Sequence, residues 1–409
     1  MLNKNYIYIL FLFILIACKK ELPPSVPGII NGPLNFCPND SNISYTIEPL
    51  ENTTYYLWTV PDDSKIISGQ GSTSIKVHFG NKSGEICVKS NNNNHQSEPS
   101  CIEVSQGGLA NTWCRELNFL GDGRSLAVGF SIGNKGYIGT GLGINQYKDF
   151  WEYDPAFNTW TQKANFAGGE RMNAVGFAIG DKGYIGTGYD AVNYFKDFWE
   201  YDPALNTWSE KANFPDLAGR AFCFSLTIGG KGYIGSGTNY SNDPRLDFYE
   251  YDPTNNIWTQ KDSLPSPFLV ASSFTIGNKG YMGLGTDGNQ TLDKFFEFDP
   301  VLNKWTKKAD FAGGPRYNAV GFAIGDKGYI GTGEYNNNLF NDFWEYDPNN
   351  TSNGFDTNNN PLGKWNQKTS FPGAIRKSAV GFTINKKGYI GTGAPDTGPL
   401  FIDFWVYGQ

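Results

Sequence analysis

Histidine is nearly missing from this chain: 409 residues hold two, His78 and His95. The part beyond position 95 therefore has no imidazole, which excludes a Ser-His-Asp triad or a histidine-bearing metal site there. Methionine is scarce too, at three residues, and 33 Lys plus Arg against 40 Asp plus Glu leave a net charge of −7. That acidic balance argues against a nucleic-acid partner gripped through its phosphates. The apolar run from Tyr6 to Ala17 is too short for a stable membrane span. Six cysteines make no disulfide lattice, and a chain of this length needs none to hold its core. What is abundant is glycine, at 50 residues, and aromatic side chains, at 30 Phe, 23 Tyr and 11 Trp. This combination predicts an all-β protein of many short strands rather than a helical bundle.

The first residues, MLNKNYIYILFLFILIACKK, combine one early lysine, an apolar run and a cysteine, the pattern of a targeting segment. Leu15, Ile16, Ala17 and Cys18 resemble a bacterial lipobox, which implies cleavage before Cys18 and acylation of its thiol, against the alternative of an ordinary secretory cut nearby. Lys19, Lys20 and Glu21 are similar to export signals on lipoproteins of the Bacteroidetes. The expectation is a signal peptide at 1–17, a lipidated linker at 18–23, and a membrane partner through the lipid, at the outer membrane on its periplasmic side or at the cell surface. Of the five cysteines that follow, an odd number, at least one stays free. Cys87 and Cys101 flank SNNNNHQSEPS between two apparent strands, so a bridge between them is expected, with Cys37 to Cys101 as the competitor. No metal or other cofactor is expected.

Residues 24–108 alternate in the β manner in Tyr55–Pro61 (YYLWTVP) and Ser74–Phe79 (SIKVHF), with Gly69, Gln70, Gly71 and Asn81 as punctuation. Seven or so strands in this length suggest a small immunoglobulin-like sandwich. YLWTVP, SGQGSTSIKV and GEICV resemble PKD-like domains of bacterial surface proteins, which implies a spacer.

The remainder, 109–409, is repetitive. A Lys-Gly-Tyr anchor places glycine at 136, 183, 232, 280, 328 and 388, at intervals of 47, 49, 48, 48 and 60. A period near 50 belongs to propeller blades. The second unit shows four strand-like segments, Asn173–Ile179, Gly183–Gly188, Asp197–Tyr201 and Thr207–Lys211, and four strands make a blade. In its first segment Val175, Phe177 and Ile179 form a large face and Ala174, Gly176 and Ala178 a small one, suited to interlocking near an axis. Asp202, Pro203 and Asn206 supply a turn that recurs at Asp154, Asp252, Asp299 and Asp347. The last unit stops at Phe404–Tyr407 without a fourth strand, whereas NTWCREL at 111–117 is a fourth strand without a unit, so the N-terminal strand should close the last sheet. Gly-Tyr, Asp-Phe-Trp-Glu-Tyr-Asp-Pro and Asn-x-Trp resemble kelch repeats, which implies a closed six-bladed β-propeller. The family's glycine pair is replaced here by Gly-Thr-Gly, as at Gly139–Gly141.

Turns of the GDKG and DPxxN types barely vary, whereas loops after the second strand vary widely and are rich in Asn and Tyr: YDAVNYFK at 189–196, TNYSNDPRL at 238–246, EYNNNLFN at 334–341. Candidate ligand contacts are Tyr189, Asn193, Tyr194, Asn239, Tyr240 and Tyr335, since aromatic faces and amides suit sugars. On the same face Arg124, Arg171, Arg220, Arg316 and Arg376 recur, with Phe268 in the fourth unit. They either ring the axis to receive an acidic ligand or pair with Asp149, Asp197, Asp247, Asp342 and Asp403. Kelch-type copper oxidases need histidine ligands, so that activity is excluded. The epimerisation of sialic acid known for a six-bladed kelch enzyme survives as an alternative, with Glu170 or Glu334 moving the proton. The lysines before each anchor glycine are expected to pair with Glu152, Glu200, Glu250, Glu297 and Glu345. The insertion Asn349–Leu362 carries Asp356, Asn358 and Asn360, read as a solvated loop rather than a calcium site. The functional expectation is a monomeric, non-catalytic module binding a glycan or a protein, with a purely structural scaffold as a further alternative.

Overall fold

The computed structural model describes residues 23–37, 40–92, 95–106, 111–240 and 243–408, and the expected signal peptide and Cys18 lie outside them. Among the described residues every regular element is a strand. The chain divides into two units between Gln106 and Gly107.

The first unit has seven strands in two sheets. Asn35–Phe36, Ser100–Gln106, Gly84–Asn91 and Tyr55–Thr59 form one, and Ile43–Thr46, Ser74–His78 and Lys65–Ser68 the other. Alternation sends Tyr56 and Trp58 inward, with Tyr45, Ile75, Val77, Phe79, Ile86 and Val88, and leaves Tyr55 and Leu57 outside. The Gly-Gln-Gly turn has a specific task. Gln70 accepts from the Trp58 backbone N–H at 3.0 Å and donates to its carbonyl at 2.9 Å, replacing a missing neighbour strand, while the indole donates to Ser72 O. Cys87 and Cys101 face each other across adjacent strands and are bonded, as expected, which rules out the Cys37–Cys101 competitor. Among the described residues Cys223 is the free cysteine.

The second unit contains six four-stranded antiparallel sheets. In the second of them Val175–Ile179, Lys182–Gly186, Phe198–Asp202 and Thr207–Lys211 pair in sequence order. The sixth is completed by Thr112–Arg115 lying antiparallel to Phe404–Gly408, so the two ends of this unit meet in one sheet and the edge of Phe404–Gly408 is covered. First strands of successive sheets neighbour one another in a closed cycle around an axis. Their large faces (Val175, Phe177, Ile179) are buried between sheets. Their small faces (Gly176, Ala178, Ser225, Gly321) line an axial channel of about 390 Å³. The anchor glycine is explained by the same packing: a Cβ on Gly183 would run into the Phe130 ring of the preceding sheet, and one on Gly232 into Phe177.

Asn-x-Trp binds sheet to sheet. Trp208 Nε1 donates to Ala164 O at 3.0 Å, Trp258 Nε1 to Ala212 O and Trp113 Nε1 to Thr369 O. The asparagine two residues earlier sits at positive φ (Asn206, 54°), accepts from Ala164 N at 2.9 Å and receives the Tyr201 hydroxyl at 2.8 Å. In the fifth repeat the insertion stands in for this asparagine, since Tyr346 donates to Leu362 O, which also accepts from Ala309 N. Asp356 of that insertion accepts from Asn358 N, Asn360 N and buried Lys308. The insertion is mostly exposed, the solvated loop that was expected, and this one ion pair fastens it to the sheet.

The lysine pairing differs from expectation in part. Lys182, Lys231 and Lys327 reach the turn aspartates Asp202, Asp252 and Asp347 at 2.9–3.0 Å. The strand-three glutamates take the strand-two tyrosines instead: Tyr137–Glu152, Tyr184–Glu200 and Tyr233–Glu250, each at 2.6 Å. A lysine at the start of strand two lies level with the turn, whereas the tyrosine stands directly opposite the glutamate. The expected lysine–glutamate pair does form in the third and fourth repeats, Lys231–Glu250 at 3.6 Å and Lys279–Glu297 at 2.7 Å.

Candidate functional site

The variable loops and the starts of the first strands lie at one end of the channel, because they are joined by short bridges: Ser125 to Leu142, Met172 to Tyr189, Ala221 to Thr238, Leu269 to Thr286, Tyr317 to Glu334 and Lys377 to Ala394. Just inside them Leu126, Asn173, Phe222, Val270, Asn318 and Ser378 all adopt left-handed backbone, with φ of 51–64°. For leucine, phenylalanine and valine that conformation is costly and must be held by its surroundings. A run of backbone hydrogen bonds from Val270 round to Asn318 holds it. Asn173 N donates to Leu126 O, Phe222 N to Asn173 O, Val270 N to Phe222 O, Ser378 N to Asn318 O and Leu126 N to Ser378 O, at 3.0–3.3 Å. These residues, with Ala127, Ala174, Cys223, Ala271, Ala319 and Ala379, line a pit of about 130 Å³. Burial pushes the Cys223 thiol up to about 12 despite Arg220, so it is no nucleophile at neutral pH.

Above one side of the pit an aromatic cluster spans the second and third repeats. Tyr189 stacks on Tyr194 with centroids 5.3 Å apart and packs on Phe222 at 5.4 Å, and Tyr194 meets Tyr240 edge-on at 4.8 Å. Tyr240 is 59% exposed, and its hydroxyl accepts from Tyr194 N at 3.2 Å. Burial, with Tyr194 beside it, raises the Tyr189 hydroxyl above its ordinary pKa, which keeps it a donor. Asn193 is exposed and tied to Asp190 at 3.1 Å. Asn239 is buried, so its side chain is not presented to solvent as a ligand contact. Tyr335 stands half-buried on a separate hairpin, Glu334–Tyr335 against Asn338–Leu339, turned by Asn336 and Asn337 at positive φ.

The five arginines are not offered to a ligand. Each is at most 2% exposed and makes a bidentate pair with the aspartate that precedes strand three: Arg124–Asp149, Arg171–Asp197, Arg220–Asp247, Arg316–Asp342 and Arg376–Asp403, at 2.5–2.9 Å. A further donor reaches the carbonyl of the Thr or Ser in the Gly-Thr-Gly segment. That carbonyl points inward because Thr140, Thr187, Thr332 and Thr392 hold φ of 57–61°. Arg171 is also sandwiched by Phe166 and Phe195 at 4.8 and 4.1 Å. Burial alone would lift the Asp149 and Asp403 carboxyls, but Arg124 and Arg376 override it and hold them below their ordinary range. The ring of donors expected for an acidic ligand is therefore an internal brace, and the aspartate pairing held as its alternative is what forms. In the fourth repeat Phe268 replaces the arginine, Leu284 the threonine, Lys294 the aspartate and Phe296 the tryptophan, and Phe268 packs on Phe296 at 5.8 Å.

The two candidate carboxylates differ. Glu170 is exposed, with Lys148 at 3.4 Å. Glu334 is 5% exposed at the pit rim, where its Oε2 accepts from Lys377 Nζ at 2.7 Å and its Oε1 lies 3.5 Å from Asn318 Nδ2. Lys377, Asn318, Asn173 and Phe222 were not singled out in the sequence. Lys377 belongs to the repeat after that of Glu334, and no spacing within one repeat reveals the pair.

These features can be set against known proteins. Residues 23–104 match the PKD-like domain model. Over that span the first unit is similar to PKD-like domains. No curated protein matches the chain. Among solved structures, that of YjhT aligns with a TM-score of 0.60 at 18% identity, covering 71% of this chain and 95% of that one. At that identity the likeness is one of fold, and it supports a propeller-like all-β architecture.

Proposed function

We propose that residues 111–408 form a six-bladed kelch-type propeller, closed by the N-terminal strand, that binds a glycan on its variable-loop face without catalysing a reaction. The aromatic cluster of Tyr189, Tyr194, Phe222 and Tyr240 carries this reading. It sets a half-exposed aromatic surface beside a polar pit on a rigid rim, the composition that suits the apolar faces and hydroxyls of a sugar. Burial of all five arginines in pairs with aspartate removes the main support for a preference for acidic ligands and for a sugar-acid epimerase. In this proposal Cys18 carries lipid and ties the protein to the outer membrane, with the PKD-like domain as spacer. The Cys87–Cys101 disulfide is in keeping with an oxidising envelope compartment.

The test is a thermal-shift panel of neutral hexoses, N-acetylated hexosamines, sialic acid, uronic acids and acidic peptides on wild type and on Tyr194→Ala/Tyr240→Ala. Ligand at ~100 Kd adds about 2.7 kcal/mol to stability. A shift with neutral sugars that the double variant loses supports the proposal. A shift confined to acidic compounds, or one the variant retains, refutes it.

A further inference from the structure

We infer that the pit at the channel mouth receives the terminal ring of an uncharged saccharide, and that Glu334 and Lys377 select it by reading two adjacent hydroxyls. This rests on the glycan-binding proposal and adds the ligand class and its polar determinants.

Around the rim, twelve residues form the six short bridges, one pair per repeat. Ten are uncharged, and the two charged ones, Glu334 and Lys377, come from adjacent repeats and meet each other. The Tyr317 hydroxyl is also turned toward Glu334, and burial with that carboxylate nearby raises its pKa, so it too stays a donor. Lys377 keeps 29% of its side-chain surface and uses one N–H on Glu334, which leaves ammonium donors facing the rim. Glu334 retains acceptor capacity beyond Lys377 and Asn318. A donor and an acceptor fixed 2.7 Å apart match adjacent hydroxyls, one accepting from the ammonium and the other donating to the carboxylate. Because the two charges cancel, the corner has no excess cation to favour a carboxylate, sulfate or phosphate group.

The pit beside this corner has its own unspent polarity. Asn173 is nine-tenths buried and lines the pit, and its Nδ2, which has almost no surface of its own, has no hydrogen-bond partner, a costly arrangement that a ligand oxygen relieves once the amide turns into the pit. Leu126, Phe222 and Val270 supply apolar wall for the C–H face of a ring. At about 130 Å³, against roughly 30 Å³ per water molecule, the space suits one ring and not a chain. The remainder of a glycan would leave over Tyr189, Tyr194 and Tyr240.

Saturation-transfer NMR tests this with methyl β-D-glucopyranoside, methyl β-D-galactopyranoside, methyl α-D-mannopyranoside and N-acetylglucosamine, beside glucuronate and N-acetylneuraminate. At least one neutral sugar should give transfer on wild type and bind at least about tenfold more weakly to Glu334→Gln/Lys377→Met, the loss expected for even one hydrogen bond to a charged group. Ala379→Leu, which fills the pit without removing either charge, should abolish it, and this keeps the test decisive if the double variant folds poorly. Transfer that survives Ala379→Leu, or that comes only from the anionic sugars, overturns the inference. If Tyr194→Ala/Tyr240→Ala alone loses binding, the aromatic platform stands and the pit assignment falls. If no neutral pyranoside binds wild type, both fall.

Discussion

Arg171→Ala removes one half of a buried bidentate pair and leaves Asp197 facing the hole. Breaking such a pair costs about 3–5 kcal/mol. Asp197 keeps 22% of its surface in water and the Trp199 indole 2.7 Å away, so the low end applies, about 3 kcal/mol after loss of the Phe166 and Phe195 contacts is included. In a unit of this size each kcal/mol moves the midpoint by about 2 °C, so the variant should melt about 6 °C below wild type by calorimetry or circular dichroism. The fourth repeat supplies the control, because it fills the same place with Phe268, Leu284, Lys294 and Phe296. Arg171→Phe, Thr187→Leu, Asp197→Lys and Trp199→Phe together should regain at least half of the loss, since buried ion pairs are often replaceable by packed apolar groups. An Arg171→Ala protein melting within about 1 °C of wild type would refute the brace, as would a combined variant less stable than the single one.

Gly183→Ala should cost about 1–3 kcal/mol, because its Cβ meets the Phe130 ring, and denaturant midpoints will show it. Burial lifts Glu116, on the closing seam, to about 7 in spite of the Tyr153 hydroxyl and Lys387, so the unfolded chain loses its proton first. Stability is therefore lost as pH rises from the unfolded pKa of 4.5 to about 7, by about 3 kcal/mol at most, and urea melts of Glu116→Gln across that window should be flatter. Asp149 and Asp403, held low, act in the opposite sense: their stabilisation is present above about pH 4 and disappears as pH falls through their folded pKa values. Asp149→Asn should blunt acid unfolding followed by tryptophan fluorescence. Removing the Cys87–Cys101 bridge, which closes a loop with a separation of 14 residues, should lower the first unit's stability by about 3 kcal/mol, read as an earlier urea transition.

The repeat was legible because each sheet solves the same packing problem with the same residues: Lys-Gly-Tyr marks a close approach between sheets, and DPxxN marks a tight turn. Closure by residues 111–117 followed from counting strands, and the register of Thr112–Arg115 on Phe404–Gly408 agrees. The Arg–Asp spacing suggested both partners, but not which side of the guanidinium faces water. That depends on the flanking Phe166 and Phe195 and on the left-handed Thr187, none of which announces itself in a strand pattern. Local rules also missed contacts made between repeats. The Asn-x-Trp staple, the Gly183–Phe130 fit and the Glu334–Lys377 corner each join positions 43 to 53 residues apart. A repeat fixes what is shared, and the proposed site lies where adjacent repeats differ.

The most direct measurement is a glycan array probed with wild type and with Tyr194→Ala/Tyr240→Ala. The account predicts that wild type retains glycans with neutral terminal sugars and that the tyrosine variant, folded by circular dichroism, loses them. Retention of sialylated or sulfated glycans alone, unchanged by the tyrosine substitutions, would contradict it.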